Sequence, residues 1–138
     1  MSATANKQIL QQVFAELARG NGRPFVEALA DDAVWTISGS SAWSRSYRGK
    51  QAIRDELLTP LFAQFADTYT NTAQRFIAED DVVAVECRGR VNTKAGCAYN
   101  NSYCYIFRLE GGRVRELTEY YDGCLADRVL GAPAVAPA

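Results

Sequence analysis

The chain has 138 residues, 48% of them apolar and 22% charged, the size and makeup of one compact domain. Fifteen Lys and Arg balance sixteen Asp and Glu, so no strong field recruits nucleic acid or an anionic membrane. Histidine is absent, which excludes Ser-His-Asp and Cys-His nucleophile pairs, His-containing zinc sites and an imidazole proton shuttle.

The four cysteines, Cys87, Cys97, Cys104 and Cys124, lack C-x-x-C spacing, so no metal site is expected and each is read as a buried, inert thiol. The first residues lack a basic start followed by an apolar run, and nothing reaches the length of a membrane span. A cytoplasmic chain with free thiols is the expectation.

In chain order, Ile9, Leu10, Val13, Phe14 and Leu17 recur at helical spacing, and Gly20-Asn21-Gly22 ends that helix. Pro24 opens a second, shorter helix bearing Phe25, Val26, Ala28 and Leu29, closed by Asp31-Asp32. Residues 33–37 read as a first strand. Residues 38–48 form a Ser-rich loop whose Trp43 and Tyr47 fold back over the body of the domain. A helix over 49–58 carries Ile53, Leu57 and Leu58 on one face; Thr59-Pro60 either kinks it or caps a further turn, and Leu61, Phe62 and Phe65 continue the stripe.

From residue 67 the period is two. Strands are predicted over 67–78, 82–91, 98–109 and 113–122 as an antiparallel meander, with Gly111-Gly112 as a tight hairpin. Residues 131–138 read as a disordered or frayed tail after a single domain spanning 1–130. Helices followed by a run of strands predict an α+β layer fold.

Alternation sorts the site candidates. Tyr99, Asn101, Tyr103, Tyr105, Phe107 and Leu109 share the face expected beneath the helices. Asn101 is the one amide on that wall, and either binds a ligand or completes a turn through backbone. Val83, Val85, Cys87, Gly89 and Val91 form an uncharged inward set. On the last strand Thr118, Tyr120 and Asp122 share one face, and Leu117, Glu119 and Tyr121 the other; a bulge near Tyr120-Tyr121 would swap them. An acid held among Tyr and Trp side chains is desolvated and becomes a proton-transfer group; the alternative is that Glu119 and Asp122 pair with Arg115, Arg88 or Arg90.

The strands Tyr99–Leu109 and Val114–Asp122 resemble the SnoaL-like branch of the nuclear-transport-factor-2-like superfamily, which also holds ketosteroid isomerase and limonene epoxide hydrolase. Ala33-Val34-Trp35, the stretch from Trp43 to Lys50 and the Gly111-Gly112 hairpin agree with it, over residues 6 to 128. The resemblance implies a cone-shaped, strongly curved mixed or antiparallel sheet wrapped around N-terminal helices (a cystatin-like fold) with a deep apolar pocket. It implies a homodimer paired through the outer sheet face, at Asn100, Ser102, Cys104, Ile106 and Arg108 with Arg88 and Arg90.

Asp122 matches the acid that ends the last long strand in SnoaL-like cyclases and in the epoxide hydrolase, and is the catalytic candidate. The hydrolase's inner-strand Arg and Asp fall here at Cys87 and Gly89, and the isomerase's first-strand base falls near Thr36 or Ile37, so strict hydrolase and isomerase activities are not expected. The expected function is cofactor-independent proton transfer, of isomerase or cyclase type, on a small apolar carbonyl compound. In that reading Trp35 and Trp43 form wall and lid, while Asn101, Tyr103 or Tyr120 orients the substrate. Tyr69 and Glu119 complete the candidate substrate-binding set. The competing expectation is a non-catalytic ligand-binding or scaffold dimer of the same fold.

Overall fold

The computed structural model describes residues 1–133. It is a mixed α+β structure, with helices against one face of a six-stranded sheet ordered β2-β1-β6-β5-β4-β3. Helix α1 (Ala3–Leu17) starts at Ser2, whose Oγ accepts from the Ala5 amide at 3.1 Å. It buries Leu10, Val13, Phe14 and Leu17, the stripe its spacing predicted. Helix α2 (Arg23–Ala28) has Pro24 in its first turn, where the missing N–H has no intrahelical partner to lose.

Strand β1 (Leu29–Ile37) begins earlier than predicted, and Asp31-Asp32 forms an exposed irregular stretch within it rather than a helix end. β1 runs parallel to β6 (Arg113–Tyr121), a pairing across about eighty residues. The Ser-rich loop yields a short strand, β2 (Arg45–Arg48), antiparallel to β1, with Tyr47 opposite Trp35. Trp43 and Tyr47 are buried as predicted, and Tyr47 Oη donates to the Trp43 carbonyl at 2.9 Å.

The helix over 49–58 runs on through Thr59-Pro60 to Phe62, with the expected irregularity falling just before the proline. α3 (Lys50–Ala52) passes into a π-helical turn (Ile53–Leu58) and then α4 (Thr59–Phe62). The Thr59 amide reaches back five residues to the Arg54 carbonyl, a widened turn immediately before Pro60, which has no N–H to continue the ladder.

β3 (Thr70–Glu79), β4 (Val82–Arg90), β5 (Ser102–Glu110) and β6 form the predicted antiparallel meander. Gly111 and Gly112 make the last hairpin with φ of 60° and 78°, the left-handed pair that a two-residue turn matching strand twist requires. The odd positions from Tyr99 to Leu109 are all buried, and the inward set of β4 is buried as well.

After β6 the chain enters α5 (Gly123–Val129), which the strand reading did not anticipate. Gly131 is held in place: its amide donates to Gln64 Oε1 at 2.8 Å, and its carbonyl accepts from Trp43 Nε1 and Gln64 Nε2. Of the tail expected to fray, residues 134–138 lie outside the described residues. The expectation of four buried thiols holds for Cys87 alone; Cys104 is half-buried, and Cys97 and Cys124 are exposed. Among the described residues no helix is long and apolar enough to cross a membrane.

Candidate functional site

Between α2, the α3–α4 segment and the helix-facing side of the sheet lies a cavity of about 100 Å³ with an almost wholly apolar lining. Its walls follow from alternation. Trp35 and Ile37 come from β1, Tyr103 and Tyr105 from β5, and Glu119 and Tyr121 from β6, each two residues from the next on one face. Leu57, Leu58, Leu61, Phe62 and Phe65 roof it, and Leu130 closes one side.

Glu119 is the cavity's one carboxyl, 6% exposed. It stands opposite Tyr105 on β5 and Ile37 on β1. Trp35 Nε1 donates to its Oε1 at 3.1 Å, and among the described residues no cation lies within ion-pair distance. Loss of hydration is therefore uncompensated, and burial pushes its pKa from 4.5 up to about 8, against a smaller opposing effect of the indole hydrogen bond. Of the arginines that might have neutralised it, Arg115 takes both oxygens of Asp32 at 2.6 Å, while Arg88 and Arg90 are exposed on β4, away from the buried face. At neutral pH Glu119 is mainly a neutral carboxylic acid.

Tyrosines surround it. Tyr103 lies against Tyr105, with ring centroids 5.1 Å apart, and is stacked on Tyr121 at 6.4 Å. Tyr69 stacks on Phe65 at 5.6 Å. Burial drives the pKa values of Tyr69, Tyr99, Tyr103 and Tyr105 far upward, so all four stay protonated hydroxyl donors. Tyr121 Oη hydrogen-bonds Ser41 Oγ, tying the Ser-rich loop to the cavity rim. Gly89 makes the tyrosine pair possible: a Cβ there would lie 2.6 Å from Tyr69 Oη and 3.1 Å from Tyr103 Cε2. Beside them the Cys87 thiol is pushed up to about 12 by burial, which makes it unreactive.

Of the sequence-derived candidates, Trp35, Trp43, Tyr69, Tyr103 and Glu119 are brought together as cavity lining. Three are not. Asp122 is exposed one residue beyond the end of β6, where its Oδ1 accepts from the Leu125 amide at 3.1 Å and caps α5. A carboxylate committed to a helix N-terminus in solvent is not desolvated, and the expected placement of Asp122 in the pocket gives way to one outside it, with Glu119 as the carboxyl that lines the cavity. Tyr120 is 52% exposed on the opposite face, because β6 keeps regular register through Tyr120 and Tyr121 and no bulge turns it inward. Asn101 is buried but spent on backbone: Nδ2 donates to the Asp122 carbonyl and Tyr99 Oη, each at 3.0 Å, and Oδ1 accepts from the Asp122 amide at 3.1 Å. It clamps the end of β6.

One lining residue escaped the sequence reading. Asn71 on β3, two residues after Tyr69, is 1% exposed, lines the cavity and sits opposite Gly89. The signal was an amide two residues after a tyrosine on a face whose partner position has no side chain. Among the described residues no cluster of Cys, Asp and Glu has the makings of a metal site.

A SnoaL-like domain family model matches residues 10–117. No curated protein matches the chain. An NTF2-like protein of unknown function from Burkholderia pseudomallei K96243 aligns with 96% of this chain and 100% of its own, at 19% identity and a TM-score of 0.78. A putative SnoaL-like polyketide cyclase from Jannaschia sp. CCS1 aligns over 96% and 95%, at 16% identity and TM-score 0.75. TerC, co-crystallised with polyporic acid, aligns over 91% and 97%, at 14% identity and TM-score 0.75. At these identities the likeness is one of fold.

Proposed function

The chain belongs to the SnoaL-like domain family, and we propose that it is an enzyme of isomerase or cyclase type, moving a proton on an apolar carbonyl compound with Glu119 as the proton carrier. The observation that carries this reading is a carboxyl group with no cation beside it, at the wall of an apolar cavity, titrating near neutrality. The shared fold of a putative SnoaL-like polyketide cyclase and of TerC bound to polyporic acid supports a small-molecule pocket here.

In its ionised form Glu119 removes a proton from the carbon next to the substrate carbonyl, and the electron pair moves onto the carbonyl oxygen as an enolate. A tyrosine hydroxyl of the wall, Tyr69 or Tyr103, donates to that oxygen in a site where water does not compete. Where a C=C bond adjoins that carbon, the enolate is a dienolate, and Glu119, now protonated, returns the proton at its γ-carbon while the double bond moves into conjugation with the carbonyl, completing an isomerisation. If the enolate carbon instead attacks a second carbonyl of the same molecule, a C–C bond closes the ring and Glu119 protonates the resulting alkoxide. Neither course changes oxidation state, so the side chains suffice. A pKa near 8 suits the task, since the base is strong while a useful fraction is ionised at neutral pH. Trp35 holds Oε1, leaving Oε2 to face the substrate.

The test is exchange of α-protons of 2-tetralone in D2O, followed by proton NMR. Wild-type protein is expected to accelerate exchange, with a rate that rises with pH to a plateau above about 8, where the carboxylate is formed. Glu119→Gln is expected to lose 10²- to 10⁴-fold, about the worth of a positioned base, while Asp122→Asn keeps the rate. Exchange that survives Glu119→Gln, or that requires Asp122, overturns the assignment. Binding of the tetralone without any acceleration favours a non-catalytic pocket.

A further inference from the structure

Asn71 has no part in the proton transfer, yet its side chain is arranged for a ligand. It is 1% exposed and lines the cavity that holds Glu119. Its Nδ2 donates to Tyr69 Oη at 3.1 Å, which fixes the plane of the amide. Its Oδ1 is buried and accepts no hydrogen bond from any of the described residues. Buried amide oxygens ordinarily have partners, and a pre-oriented acceptor left bare in an apolar cavity is completed when a ligand brings a donor. The other buried amide oxygen without a partner, on Asn6 of α1, is not part of the cavity lining.

The other polar groups of the cavity, tyrosine hydroxyls and the Glu119 carboxyl, can each donate, whereas Asn71 Oδ1 can only accept. Those groups serve a carbonyl oxygen. A simple ketone offers Asn71 Oδ1 nothing, whereas a compound bearing both a carbonyl and a hydroxyl satisfies both sets.

We propose that Asn71 is a specificity-determining residue whose Oδ1 accepts a hydrogen bond from a ligand hydroxyl, so that the preferred substrate is a hydroxylated carbonyl compound, phenolic or enolic, rather than a plain ketone. This assignment of substrate class rests on the proton-transfer reading of the same cavity. The Asn71–Tyr69 bond gives it a second consequence. Tyr69 Oη, already accepting from the amide, keeps its proton for the substrate carbonyl, so the two side chains bind hydroxyl and carbonyl as a pair.

The test separates the two readings by using binding alone. Affinities of 1-naphthol and 2-naphthol are measured by fluorescence at pH 7 against those of their methyl ethers, which keep the rings and lose the donor. Wild-type protein is expected to prefer at least one naphthol over its ether by about tenfold, the worth of one good hydrogen bond. Asn71→Leu is expected to bring that ratio to near one while binding the ethers undiminished, and Glu119→Gln to leave it in place. In isotopically labelled wild-type protein, the Asn71 side-chain amide resonance is expected to shift with naphthol and not with ether, a readout that needs no variant to fold. Equal affinity of wild type for naphthol and ether overturns the proposal, as does a water molecule that satisfies Oδ1 in the naphthol complex. A preference that vanishes in Glu119→Gln but survives Asn71→Leu places the acceptor on Glu119 and also overturns it. Tetralone exchange that depends on Glu119 stands whichever way these results fall, so each reading fails separately.

Discussion

Glu119→Gln is expected to abolish a pH dependence of stability that wild-type protein shows between about pH 4.5 and 8. The native carboxyl holds its proton to about 8, while in the unfolded chain it releases it near the ordinary value of 4.5. Between those values the native state binds one proton more than the unfolded state, so unfolding free energy falls as pH rises. This contribution is complete below 4.5, is lost progressively up to about 8, and is constant beyond it. At about 1.4 kcal/mol per pH unit, the loss is of the order of a few kcal/mol, a large part of the net stability of a domain this size. A glutamine at 119 has no proton to release, yet its carbonyl still accepts from Trp35 Nε1. Urea unfolding of both proteins at pH 5, 6, 7 and 8 is expected to give a wild-type curve that declines relative to the variant. Parallel curves would mean that Glu119 titrates alike in both states.

Phe14→Ala is expected to cost about 3–5 kcal/mol without altering that pH dependence. Phe14 is 2% exposed on α1 and meets four rings of the core: Phe25, Phe76 and Phe107 edge-on at 6.4, 5.9 and 6.1 Å, and Tyr105 tilted at 6.3 Å. Truncation removes those edge contacts, worth more than their area alone, and leaves a void that α1 cannot close without leaving the sheet. Phe14 is absent from the cavity lining, so the environment of Glu119 is retained. The same substitution at Phe62, 47% exposed, is expected to change stability far less. Chemical denaturation measures both. A Phe14→Ala protein of wild-type stability would show that α1 does not anchor the sheet.

These two residues mark how far the sequence could be read. Phe14 belongs to a helical stripe whose buried face local periodicity named, whereas for Glu119 alternation supplied only its face-mates and left open which acid of the last strand looks inward. Alternation put Glu119 with Leu117 and Tyr121, and all three turn toward the helices. The choice of Asp122 came from resemblance to an acid at the end of the last long strand, and its side chain lies outside the cavity for a local reason. β6 stops at Tyr121, and Asp122 begins a helix whose Leu125 and Val129 lie four apart. An Asp before such a pair is a cap signal, and it outweighs strand parity.

What was not legible is what depends on distant pairing. The parallel alignment of β1 with β6 brings Trp35 to Glu119 across 84 positions, and no window of sequence contains both. Asn101 was open between a ligand contact and a backbone pairing, and the structure takes the second: its partners include the backbone N–H and C=O of Asp122, which side-chain patterning does not display. Asn71 was on the correct face of a predicted strand, but its importance rests on Gly89 opposite and on an oxygen without a partner.

Whether Glu119 is a neutral acid poised for proton transfer is decided by titrating its side-chain carboxyl carbon by carbon-13 NMR in wild-type protein, assigned by loss of the signal in Glu119→Gln. The expected midpoint is about 8. A midpoint in the ordinary range of an exposed glutamate, about 4.3, would contradict it.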